Sequence, residues 1–283
     1  MKNEERILNM IKLIAVDLDG TLLKSDGSIS LENKEALHQA KELGIKVVIC
    51  TGRPLLSVAA ILDEMNLREP GDYIITYNGG LVQKADTGEV LSEKSLTKAD
   101  AIELYELSKS LNLPCNLLDL DNIYELPYPK GRESWYSRTK PALPFVSTTL
   151  EELPDDIRFN KILFCYEENV LNEEIKGIPP EFYKKFTIMK SRPILIEMMN
   201  KEVDKGRGIA VLCDLLGFQA DEVMAFGDEA NDHAMIEFAG MGVAMGNATT
   251  ALKEIAQYIT DTNDNHGIAQ AIEKFILNQT DQA

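Results

Sequence analysis

Residues 13–16, Leu-Ile-Ala-Val, form a short unbroken apolar block that stops abruptly at Asp17, Asp19, Gly20 and Thr21. An apolar run of this length without alternation is the pattern of a strand buried on both faces. The same grammar recurs downstream. Ser30 is placed to cap a helix running through Leu43, with Glu32 near its positive end and Gly44 just beyond it. Ile45–Cys50 predicts a second strand, which ends in Thr51-Gly52-Arg53-Pro54. Pro54 suits the first turn of a helix reaching about Asn66. Ile74–Tyr77 predicts a third strand, ending in Asn78-Gly79-Gly80. Strands that alternate with helices in this way predict a parallel sheet with right-handed crossovers.

The pattern changes near residue 83. ADTGEV reads as a hairpin turn, and a helix is expected at about 98–111. A Pro-, Tyr- and Trp-rich stretch fills 114–149. Strand-like 161–166, helix-like 167–176 and strand-like 186–190 and 194–199 then suggest an α+β unit. Alternation returns from Val203. It predicts a helix at about 205–216, a strand Val223–Gly227 ending in Asp228, a helix at 230–239, a short strand at 241–245 and helices at 249–256 and 266–277. The simplest organisation is an α/β parallel-sheet core made from residues 1–83 and 200–283, with 84–199 inserted as a second domain.

Bulk composition narrows the chemistry. A chain of 283 residues with 45% hydrophobic content can bury a sizeable core. Its formal net charge of -17 would repel nucleic acid and anionic membrane, so neither is an expected partner. Cys50, Cys115, Cys165 and Cys213 have no metal-ligand spacing, and two lie in the apolar runs KVVIC and KILFC. Reduced, buried thiols fit a cytoplasmic protein. The opening MKNEERILNMIK is charged and lacks a signal-peptide core, and no apolar run approaches membrane-spanning length. His38, His233 and His266 are the only histidines, which argues against a His-based triad or a zinc centre.

Four predicted core strands end in polar signals: DLDGT, TGRP, NGG and GDEAND. Ends of parallel strands share one edge of the sheet, where open α/β folds bind ligands. Asp17, Asp19, Asp228 and Asp232 should therefore crowd together. Two like charges about 4 Å apart repel by roughly 4 kcal/mol at an effective dielectric of about 20. A cation is the natural compensator, and a donor set of carboxylates without His or Cys selects magnesium over zinc. A structural ion-pair network is the alternative, but these motifs carry few cations. Lys205-Gly206 opens a helix, where the dipole disfavours a lysine unless an anion is near. A phosphate would supply that anion. Thr51 and the Gly52 amide add donors suited to phosphate oxygens.

DLDGT, Thr51, Lys205 and GDEANDHAM resemble, in order, the four signatures of haloacid dehalogenase superfamily phosphatases. TGRP, YNGG and GDxxNDxxM bring the chain closest to the Cof-type, YidA-like sugar phosphatases. The resemblance implies a Rossmann-like α/β core with an inserted α+β cap, and an enzyme that hydrolyses small phosphorylated metabolites with Mg²⁺. It further implies that Asp17 is the nucleophile and forms an aspartyl-phosphate, and that Asp19 is the general acid and base. Mg²⁺ would be held by Asp17, the Asp19 carbonyl and Asp228, with Glu229 or Asp232 acting directly or through water. Lys205, Thr51, Gly52, the Leu18 amide and Asn231 would bind the phosphate. In the cap, GRESWYSRTK (131–140) sets Trp135 and Tyr136 among Arg132, Arg138 and Lys140, either as sugar-phosphate contacts or as an amphipathic loop. A phosphomutase of the same superfamily and a non-catalytic phospho-acceptor are the rival readings.

Overall fold

The computed structural model describes residues 11–278. Most of the charged opening segment therefore lies outside the described residues, as does the end of the expected core range. The described chain forms two compact units, one containing 11–93 and 204–278 and the other 94–203. No helix among the described residues is long and apolar enough to cross a membrane.

The first unit opens with β1 (Leu13–Val16), β2 (Lys46–Cys50), β3 (Tyr73–Thr76), β4 (Leu81–Lys84) and β5 (Val90–Glu93). The second unit contributes β6 (Leu96–Thr97), β7 (Cys115–Leu118), β8 (Ile123–Glu125), β9 (Phe145–Ser147), β10 (Arg158–Phe159), β11 (Lys161–Cys165), β12 (Phe186–Arg192) and β13 (Leu195–Asn200). The first unit then resumes with β14 (Val223–Gly227), β15 (Met241–Ala244) and β16 (Tyr258–Ile259).

The core sheet has the order β16-β15-β14-β1-β2-β3-β4-β5. It is parallel from β16 to β3. The two following strands pair antiparallel. β1 is buried along its whole length, as its unbroken apolar run requires, flanked by β14 and β2 and enclosed in the apolar core. Ser30 caps helix Leu31–Glu42 by accepting from the Asn33 N–H. The predicted ADTGEV hairpin forms between β4 and β5, but it extends the core sheet rather than opening the inserted domain. The units consequently divide at Glu93/Lys94 and Val203/Asp204, not at the expected 83/84 and 199/200.

The second unit is built on a six-stranded sheet, β12-β13-β11-β7-β8-β9. Along β11 the side chains alternate between two cores. Ile162 and Phe164 join Leu104 and Leu107 of helix Lys98–Ser110, whereas Leu163 and Cys165 pack with Tyr136 and Leu143. The segment 131–140 thus closes the second face of this sheet. Trp135 packs beside Tyr166, Arg138 stacks on Trp135 at 3.8 Å, and Arg132 binds the Asn112 carbonyl. Of its two expected roles, these contacts match the amphipathic covering loop. All four cysteines are free and buried.

Candidate active site

Strand order explains why the polar strand ends meet. β14, β1, β2 and β3 are consecutive neighbours, so the residues that follow them stand abreast on one edge. Asp17 follows β1 and donates its main-chain N–H to the Phe226 carbonyl of β14. Thr51 follows β2, with its N–H on the Ile75 carbonyl of β3. Asp228 follows β14, and Asn78 stands just beyond β3. Lys205 arrives from a different direction, as the first residue of helix Lys205–Leu216. Asp204 caps that helix by accepting from the Arg207 N–H at 2.8 Å.

Carboxylate oxygens of Asp17, Asp228 and Asp232 lie within 4.8 Å of one another, and all three residues are buried. Lys205, wholly buried, bonds Asp17 Oδ1 and reaches Asp232 Oδ1 at 2.6 Å. Asp232 Oδ2 accepts from the Asp228 and Glu229 main-chain amides at 2.8 and 3.0 Å. Asp232 therefore fixes both the lysine and the loop that presents Asp228. Thr21 Oγ1 donates to Asp228 Oδ1 at 3.0 Å. Gly20 passes directly over the same carboxylate with φ of +82°, and a Cβ there would stand 2.2 Å from Asp228 Oδ2. Only glycine fits both that conformation and that gap.

The electrostatics follow from this burial. Three carboxylates face one ammonium, which leaves negative charge uncompensated. Burial pushes the Asp17 carboxyl up to about 8, reinforced by Asp232 and opposed by Lys205. Burial likewise raises Asp228 to about 7, again with a contribution from Asp232. For Lys205 burial opposes the charge, but Asp17 and Asp232 outweigh it and hold the ammonium firmly protonated. Such a group of oxygen donors with excess negative charge, lacking His and Cys, suits a hard divalent cation.

The other expected residues divide into two sets. Thr51 is buried beside the cluster, and its Oγ1 accepts from the Arg53 N–H. Leu18 is buried, Gly52 backs onto Asn78, and Asn231 donates its Nδ2 to Asn78 Oδ1 at 3.2 Å. Asp19, by contrast, is exposed and engaged at two points by the Arg53 guanidinium, with Nε at 2.9 Å from Oδ2. Glu229 is not brought into the carboxylate group. It begins the turn Ala230–Asp232, and its exposed carboxylate accepts from the adjacent Ala230 N–H. Sequence reasoning placed Asn78 and Thr21 at polar strand ends but gave them no role, and it did not single out Asn247, whose Nδ2 donates to the Gly20 carbonyl. Asn78 had a signal, since NGG terminates a predicted strand like the other motifs.

Comparison with known proteins gives this geometry a family. A family model for haloacid dehalogenase-like hydrolases matches residues 14–272. The YxeH protein of Bacillus subtilis strain 168 is 41% identical over 268 residues, which cover 95% of this chain and 99% of the relative. YcsE of the same organism, a 5-amino-6-(5-phospho-D-ribitylamino)uracil phosphatase, is 36% identical over 270 residues, covering 94% and 96% respectively. Among solved structures, the HAD subclass IIB sugar phosphatase BT4131 matches with a TM-score of 0.75 and 27% identity, covering 93% of this chain and 98% of that one. The chain belongs to the haloacid dehalogenase-like hydrolases and is a phosphoric monoester hydrolase.

Proposed function

We propose that this hydrolase releases phosphate from small phosphorylated metabolites, sugar phosphates foremost, through an Mg²⁺-dependent reaction with an aspartyl-phosphate on Asp17. The observation that carries the reading is the buried Asp17 carboxylate, paired with Lys205 and set beside Asp228 and Asp232 at the carboxyl edge of the sheet. A carboxylate raised by burial is a poor nucleophile until more positive charge reaches it. Asp17, the Asp19 carbonyl and Asp228 would hold the ion. Asp232, whose oxygens already serve Lys205 and two amides, would act on it directly or through water. Bound there, Mg²⁺ supplies charge that keeps Asp17 ionised and offsets the phosphoryl oxygens.

The protein's own groups then divide the work. Asp17 attacks phosphorus, the ester P–O bond breaks, and Asp19 passes its proton to the leaving alkoxide. Asp19, now a carboxylate, takes a proton from water as the water oxygen attacks phosphorus. The bond to Asp17 breaks and inorganic phosphate leaves. Lys205, Thr51, the Leu18 and Gly52 amides and Asn231 hold the phosphoryl oxygens throughout, a positioning task. Arg53 holds Asp19 over the edge of the site until substrate arrives. YcsE is named for a substrate that carries its phosphate on a ribityl chain, and BT4131 is named a sugar phosphatase, which supports sugar and polyol phosphates as the class.

A panel of phosphorylated metabolites, assayed for free phosphate with Mg²⁺, tests the proposal. Sugar phosphates should rank first, and Asp17→Asn should lose at least about 10³-fold in kcat while remaining folded. Full activity in that variant would remove Asp17 from the nucleophile's role.

A further inference from the structure

The chain leaves β3 in an unusual conformation. Tyr77, Asn78 and Gly79 take φ values of 51°, 57° and 95° in succession. Left-handed backbone brings Cβ against the following carbonyl, and a bulky residue such as tyrosine adopts it only under constraint. A four-residue hairpin loop is most often built around a type I turn, which needs no such run. Backbone held in sparsely populated regions gathers at functional sites because surrounding structure has to enforce it.

The contacts of this turn show what enforces it. Asn78 donates its main-chain N–H to the Thr51 carbonyl at 2.9 Å. Its side chain, 3% exposed, accepts from Asn231 Nδ2 at 3.2 Å. A Cβ on Gly52 would lie 2.9 Å from Asn78 Oδ1. A Cβ on Gly79 would lie 2.0 Å from the Asp204 carbonyl oxygen and 3.2 Å from the Lys205 nitrogen. One strained turn therefore touches Thr51-Gly52, Asn231 and the start of the Lys205 helix.

We infer that Asn78 is a positioning residue of the phosphate site, orienting the Asn231 carboxamide while its left-handed backbone seats the Thr51-Gly52 loop. The inference rests on the assignment of Thr51, Gly52, Lys205 and Asn231 to phosphate under the proposed function. A carboxamide has two N–H donors and one acceptor oxygen at opposite ends of a plane. By accepting one Asn231 N–H, Asn78 turns the nitrogen end into the site and leaves the second N–H for a phosphoryl oxygen. The reversed carboxamide would present its oxygen to an anion. Asn78 itself does not touch the phosphate in this arrangement.

The test is a set of double-variant cycles in the Mg²⁺-saturated enzyme, with p-nitrophenyl phosphate as substrate and inorganic phosphate as competitive inhibitor. Asn78→Gly keeps the left-handed backbone and removes the carboxamide, whereas Asn78→Asp keeps the acceptor oxygen and tolerates the same backbone. Asn231→Ala should raise KM and the phosphate inhibition constant about five- to tenfold in the wild-type and Asn78→Asp backgrounds. In the Asn78→Gly background, already weakened by a similar factor, Asn231→Ala should change neither value by more than about twofold. Asn78→Gly should melt within about 2 °C of wild type, so its weakened binding is not a loss of fold. An equal Asn231→Ala effect in all three backgrounds overturns the inference, as does an Asn78→Gly enzyme with unaltered KM and phosphate inhibition. An Asn231→Ala variant that binds phosphate normally overturns the assignment of Asn231 and the inference with it.

Discussion

At Asp17, burial works against ionisation, and the neighbouring acids add to it faster than Lys205 can compensate. The consequence for stability follows from linkage. Asp17 and Asp228 both bind protons more tightly folded than unfolded, rising from 3.8 to about 8 and about 7. The stabilisation from those protons is complete below the unfolded value and is lost as pH rises through the folded ones. The metal-free protein should lose melting temperature across that window, and Mg²⁺, if bound as proposed, would take the protons' place and should restore it. The Mg²⁺-induced rise in melting temperature is thus expected to be larger at about pH 8 than at about pH 5.5. An increment that stays constant or shrinks over that range would contradict the charge balance described. Lys205→Met would leave Asp17 and Asp232 buried without their cation. Urea unfolding of the metal-free variant should show a loss of about 3–5 kcal/mol. Residues such as Asp17, Lys205 and Asp228 were legible in sequence because each closes an apolar run or opens a helix. Asn247 was not, because its contact with Gly20 spans 227 positions and no local pattern announces it. Glu229, expected to act on the ion directly or through water, carries an exposed carboxylate that accepts from the adjacent Ala230 N–H.

Whole elements are placed by a few residues at their ends. Lys205 starts a helix against the dipole preference because Asp204 caps that helix and Asp17 and Asp232 await the ammonium. The loop after β1 depends on Gly20 in the same way. Gly20→Ala meets both the positive φ and the Asp228 carboxylate, so it should abolish the Mg²⁺ response of both activity and melting temperature. Retention of that response would show that the loop can move aside. In the second unit, Thr97 and Asp100 form a reciprocal cap on helix Lys98–Ser110. Thr97→Ala should cost about 1 kcal/mol of stability in denaturant titration. Helices with caps and strands with unbroken apolar runs were readable within a residue or two. Strands β7, β8 and β9 were not, since three or four residues in a Pro- and Tyr-rich stretch show no period. Their strand character comes from pairing with β11 and with one another.

For the molecule as a whole, the decisive fact is that β1 and β14, from opposite ends of the chain, lie side by side. Asp17 and Asp228 meet only because of that pairing, and their repulsion falls on the centre of the core sheet. A chelator should therefore silence turnover and lower the melting temperature together, and added Mg²⁺ should restore both. Recovery of activity without recovery of stability would mean that the ion binds elsewhere. The sequence by itself determined the capped helices and the unbroken apolar strands of the core, the interrupted order of the two units and the polar residues at the strand ends. Those properties are local, carried by apolar runs, caps and turn residues. Tertiary structure alone decided that the β4–β5 hairpin belongs to the core sheet, that Arg53 pairs with Asp19, and that Asn78 stands between Gly52 and Asn231. Each of these depends on which strands become neighbours, and neighbour order is set by how the whole chain buries its apolar surface rather than by any one segment.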